Sequence, residues 1–156
     1  MKPKTYCQLY VHLVFAVKNR EALLNDQIRP KVFKYMSGVV STLGHKSIII
    51  DGTSDHVHLL IGLNPSKTIS EVVQNVKRST SLLINKEKFC MGKFSWQEGY
   101  GAFSCSHSNM DRVYNYILNQ ENHHKARTFK QEFLTFLEKL KIEFDEKYLF
   151  RFIEDV

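Results

Sequence analysis

Cysteine is scarce and badly placed for covalent scaffolding. Cys7, Cys90 and Cys105 are odd in number, far apart and in no C-x-x-C pair, which argues against a disulfide framework and against a thiolate zinc site. Reduced thiols are expected. No stretch approaches the roughly 18 to 20 apolar residues that a membrane helix needs, and the N-terminus has no apolar signal core. The expectation is a soluble, cytoplasmic protein without a membrane partner. Repeats, low-complexity tracts and linkers are missing too, and 156 residues at 43% hydrophobic content suit one domain with a real core. A single domain over residues 1–156 is expected, with a core over 1–106 and helices over 107–156.

Acidic residues are thin over most of the chain. Residues 1–130 hold 18 Lys and Arg against 9 Asp and Glu, whereas residues 131–156 hold 4 against 7. A basic body with an acidic end suits a polyanion such as nucleic acid, and equally a solvated basic surface.

Hydrophobic periodicity gives the element order. Cys7, Leu9, Val11, Leu13, Phe15 and Val17 alternate with Gln8, Tyr10, His12 and Lys18, a strand with one core face. A helix capped at Asn25 or Asp26, with Pro30 in its opening turns, runs to Gly44. His45 to Asp51 and His56 to Leu63 flank a Gly52-Thr53-Ser54-Asp55 turn and predict a hairpin. Thr68 and Glu71 form a capping box for a helix to about Asn85, and Gly92 to Ser106 reads as an aromatic fourth strand bent near Gly99 and Gly101. A helix follows Ser108, and Thr128 opens a last one with the apolar stripe Phe129, Phe133, Phe136, Leu137 and Leu140. The result is an α+β chain: a ferredoxin-like or RRM-like split βαβ sheet (β-α-β-β-α-β) with two additional C-terminal helices, both crossover helices on one face and the other face open.

The candidate chemistry sits toward that open face. Strand alternation sends Val57, Leu59 and Ile61 to the helices and His56 and His58 the other way, with Tyr10 and His12 on the same side of the first strand. An H-x-H pair is half of a metal site; by itself it is more often two half-exposed strand histidines. On the segment from Val113 to His124, Tyr116 and Gln120 are four residues apart and lie about 40° from one another, whereas Tyr114 lies about 120° from Gln120. Tyr116 is therefore the better nucleophile candidate, although its ring would also serve as core. Gln120 is a possible third ligand, with which His123 competes, and His124 suits a phosphate or helix-end contact. An unperturbed phenol has a pKa near 10, and a cation polarising a phosphoryl group is one way to make it a useful nucleophile. Together the pieces suggest metal-assisted cleavage of a phosphodiester by tyrosine.

Four stretches, in order, resemble the HUH single-tyrosine transposases of small bacterial insertion sequences, the TnpA-like, IS200-type family. They are Tyr10-Val11-His12-Leu13-Val14-Phe15 with Lys18-Asn19-Arg20, Asp55-His56-Val57-His58-Leu59-Leu60, Phe94 to Phe103, and Tyr116-Ile117-Leu118-Asn119-Gln120 with His123-His124. The resemblance implies Mg²⁺ or Mn²⁺ held by His56, His58 and Gln120, a 5′-phosphotyrosine at Tyr116, single-stranded DNA with a hairpin as substrate, and a homodimer with shared active sites. Among these ligands only the amide oxygen favours a hard ion over zinc. Arg20, Lys77, Arg78 and His123 are candidate DNA contacts, with solvated helix charges as the plain reading of Lys77 and Arg78. Competing readings are a domesticated repeat-processing tyrosine nuclease of the same family, a non-catalytic RRM-like module stacking bases on Tyr10 and Phe103, and a zinc hydrolase that uses water.

Overall fold

β1 (Tyr10–Ala16) and β3 (His56–Gly62) are the inner strands of a four-stranded antiparallel sheet in the order β2-β3-β1-β4, with β2 (Lys46–Gly52) and β4 (Gly101–Cys105) at the edges. The computed structural model describes residues 5–119, 129–139 and 141. Gln120, His123, His124, the Thr128 cap, Leu140 and the acidic end beyond 141 lie outside the described residues, as does the side chain of Arg20. None of the helices among the described residues is long and apolar enough to cross a membrane.

The alternation read from the sequence holds on the helical side. Val11, Leu13, Phe15, Val57, Leu59 and Ile61 form a buried core with Val32, Met36 and Val40 of α1 (Arg29–Thr42) and Val72, Val73, Val76 and Ile84 of α2 (Ile69–Lys86). Local signals set the helix ends. Asn25 Oδ1 accepts from the backbone N–H groups of Gln27 and Ile28 just before α1, Gly44 takes a φ of 88° beyond its end, and Thr68 Oγ1 accepts from Glu71 N at 3.1 Å to open α2.

Two expectations are corrected. The fourth strand is short: residues 92–100 form a loop, with only an isolated Val17–Trp96 bridge. Side chains take the place of a ladder there. Asn85 bonds both the N–H and the carbonyl of Phe94, at 2.7 and 3.0 Å, and Trp96 Nε1 donates to Thr80 Oγ1 at 3.0 Å, so the aromatics enter the core while the backbone polar groups stay satisfied. The second correction concerns the face away from α1 and α2, which is covered. α3 (Met110–Leu118) packs Val113 and Ile117 onto Leu60 and Cys105, and α4 (Phe129–Lys139) brings Phe133 and Phe136 against Phe103. Apolar stripes on both helices need a partner, and this face offers the remaining apolar surface.

The hairpin between β2 and β3 has no room for a side chain at Gly52. A Cβ there would press on the carbonyl oxygen of His56 and lie 2.9 Å from Val57 Cα, both backbone atoms, in a turn closed by Thr53 N–H donating to the His56 carbonyl at 3.0 Å. Gly52→Ala is expected to cost about 1–3 kcal/mol or more. Gly38→Ala, in α1 with nothing within 4 Å of its new methyl, should be neutral or stabilising. Thermal unfolding of the two variants checks the contrast.

Candidate active site

His56 and His58 leave β3 on the side of the sheet that α3 covers, fully buried, their rings 5.1 Å apart between centroids and edge to face. His56 is held from the turn before it. Its Nδ1 lies 2.7 Å from Asp55 Oδ1 and 2.8 Å from Thr53 Oγ1, and the Thr53 hydroxyl donates to the same carboxylate oxygen at 3.0 Å. A carboxylate on Nδ1 fixes the proton there and puts the ring's lone pair on Nε2.

β1 adds a third imidazole. The register sets His58 opposite Val14 and His12 opposite Leu60, which makes His12 and His58 diagonal neighbours on one face. Their rings stack at 5.1 Å and His12 Nε2 is hydrogen-bonded to His58 Nδ1 at 2.9 Å. Burial pushes the His12 pKa from 6.5 down to about 3, so this ring is neutral at physiological pH.

α3 supplies the tyrosine. Tyr116 turns toward the sheet, its ring 5.7 Å from that of His58 and nearly perpendicular to it, and 6.4 Å from that of His12, with its hydroxyl oxygen buried. Tyr114, two residues earlier, is 39% exposed and points elsewhere. Phe136 of α4 stacks on Tyr116 at 4.8 Å and meets His12 edge-on at 5.1 Å. His56, His58 and Tyr116 are thus assembled within one chain.

The donor chemistry fits a divalent cation. Two imidazoles on one face, each engaged at Nδ1, can offer Nε2. No group of three or more His, Cys, Asp or Glu side chains is placed to hold a metal ion together among the described residues, so this pair needs a further ligand of another type or from beyond them.

Lys77 lies on α2, across the sheet from the histidines. Its ammonium donates to the carbonyls of Gln97 and Gly99, at 2.9 and 2.6 Å, and sits 5.3 Å from the centre of the Phe15 ring; burial lowers its pKa from 10.5 to about 8 against the opposing pull of Glu98. Arg78 is exposed and lines a groove with Trp96 and Tyr100. Neither joins the histidine cluster. Sequence reasoning missed Thr53, Asp55 and Phe136; only the carboxylate directly before the H-x-H pair was a usable signal.

The family model described as Transposase IS200 like matches residues 5–120, a span that includes His12, His56, His58, Tyr116 and Gln120. The chain belongs to this family. A curated relative of this IS200-like transposase, the ISDra2 transposase TnpA of Deinococcus radiodurans, is 25% identical over 121 residues, covering 74% of this chain and 86% of the relative. Two solved structures share the fold. A Deinococcus radiodurans R1 protein assigned as a transposase superposes with a TM-score of 0.60 at 21% identity, over 77% of this chain and 96% of the other. A REP-associated tyrosine transposase bound to a REP hairpin gives 0.58 at 14% identity, over 80% and 73%.

Proposed function

We propose that this transposase cleaves and rejoins single-stranded DNA at element-end hairpins by transesterification, with Tyr116 as nucleophile. The observation that carries the reading is the half-buried Tyr116 ring standing edge-on to His58, 5.7 Å away, beside the fully buried His56–His58 pair. The Tyr116 oxygen attacks phosphorus, the P–O3′ bond breaks, and the phenolic proton passes to the departing oxygen. A 5′-phosphotyrosine and a 3′-OH result. Attack of a 3′-OH on that phosphotyrosine reverses the step and joins strands, and because each step exchanges one phosphoester for another, no ATP is required. Mg²⁺ or Mn²⁺, held in this reading by His56, His58 and Gln120, supplies Lewis-acid polarisation of the phosphoryl group. Asp55 and Thr53 orient His56, and Phe136 fixes the plane of the Tyr116 ring.

A non-catalytic RRM-like module needs exposed aromatics on the sheet, and that face is covered by α3 and α4, with Phe103 packed against Phe133 and Phe136. A homodimer is part of the proposal, although Tyr116 reaches His58 within one chain. The REP hairpin bound by the structural neighbour supports a hairpin substrate here. Arg20, Lys77, Arg78 and His123 are proposed as DNA contacts, Lys77 also shaping the loop at residues 97–99 through its bonds to the Gln97 and Gly99 carbonyls.

Trapping a covalent DNA adduct and locating it by peptide mass tests the reading: the adduct belongs on Tyr116, and its absence under cleaving conditions refutes the mechanism. Binding gives a second check. Affinity for hairpin-bearing single strands should exceed that for duplex and fall steeply with salt, each neutralised phosphate adding roughly 0.7 to 0.9 to the log–log slope. Equal affinity for hairpin, unstructured strand and duplex would count against hairpin processing.

A further inference from the structure

The two H-x-H imidazoles are held differently from behind. His56 leans on a carboxylate, whereas His58 Nδ1 meets another imidazole, that of His12. A hydrogen bond between two imidazoles contains one proton, so the pair has a direction. If His58 gives its Nε2 lone pair to a cation, its own proton sits on Nδ1, and His12 Nε2 must accept. The His12 proton is then forced onto Nδ1, which has no hydrogen-bond partner among the described residues. The opposite arrangement puts the proton on His58 Nε2 and closes that atom to a metal.

We infer that His12 is a positioning residue that holds His58 in the Nδ1–H tautomer and aims its Nε2 at the cation. This rests on the metal reading of the site. The packing supports a fixed role: His12 is 1% exposed, stacked on His58 and clamped edge-on by Phe136, so its ring has little freedom to turn away.

The test uses the full chain and three readouts. Long-range ¹H–¹⁵N spectra of the parent protein with saturating Mg²⁺ should show the His58 proton on Nδ1 and the His12 proton on Nδ1. His12→Phe keeps an aromatic ring against Phe136 and Phe103 but removes the acceptor, and Mn²⁺ titrated calorimetrically should bind roughly 10- to 100-fold more weakly. His12→Gln, which can return an oxygen to the position of Nε2, should recover most of that loss, a rescue that a purely space-filling role does not predict. A proton on His58 Nε2 in the parent spectrum, or parent-like Mn²⁺ affinity in a folded His12→Phe, overturns the inference. Failure of the parent to bind either ion overturns the metal reading and this inference together.

Discussion

Tyr116→Phe is expected to reduce strand cleavage by on the order of 10⁴-fold or more while leaving hairpin binding and the unfolding midpoint close to the parent's. The substitution removes only the attacking oxygen, and knocking out a nucleophile typically forfeits most of the rate enhancement. The ring remains stacked on Phe136 at 4.8 Å and edge-on to His58, so packing is kept. Radiolabelled oligonucleotide cleavage and thermal unfolding read the two halves of the result. Parent-like cleavage would return the chemistry to water and favour the hydrolase reading. A DNA adduct mapped to Tyr114 would place the nucleophile on the exposed side of α3 and contradict the site as described.

His56→Ala and His58→Ala should each abolish cation-dependent cleavage, with only partial rescue by excess Mn²⁺. Each removes one of the two imidazole donors from a site that holds few ligands. Their structural costs should differ. Without His56, Asp55 and Thr53 still bond one another at 3.0 Å in a partly exposed turn. Without His58, buried His12 loses the partner of its Nε2, a penalty of about 1–3 kcal/mol on top of the cavity. His58→Ala should therefore melt at the lower temperature. Undiminished cleavage by the parent in EDTA would remove the cation from the mechanism.

How much of this was readable in advance depends on whether one element or two had to be known. Strand parity is a property of one segment, and it placed His12, His56 and His58 on a common face before any pairing was known. Helix geometry separated Tyr116 from Tyr114 in the same way. The Thr68 cap followed from residues three apart. The cover over the histidines was not readable, because the Phe133–Leu137 stripe announces that α4 must be buried without saying against what. Likewise Phe94 and Trp96 have strand-like propensity, yet Asn85 and Thr80 on α2 take their polar groups, a tertiary choice that local pattern does not encode. The Asp55 and Thr53 bonds to His56 depend on the shape of a tight turn closed at Gly52.

The sheet order has a bearing on how the chain is made. β1 leaves the ribosome before the other three strands of its sheet and becomes an inner strand of the finished structure: Tyr10 pairs with Gly62 on one side and Cys105 on the other. The run from Val11 to Val17, buried at every position in the native protein, must wait for β3 before either of its edges is paired and for β4 before both are. Such long-range closure slows folding and leaves an apolar strand exposed meanwhile. The His12–His58 contact spans the first of those closures, so the histidine cluster can form before Tyr116 has been synthesised. In the proposed mechanism the nucleophile thus joins the histidines last.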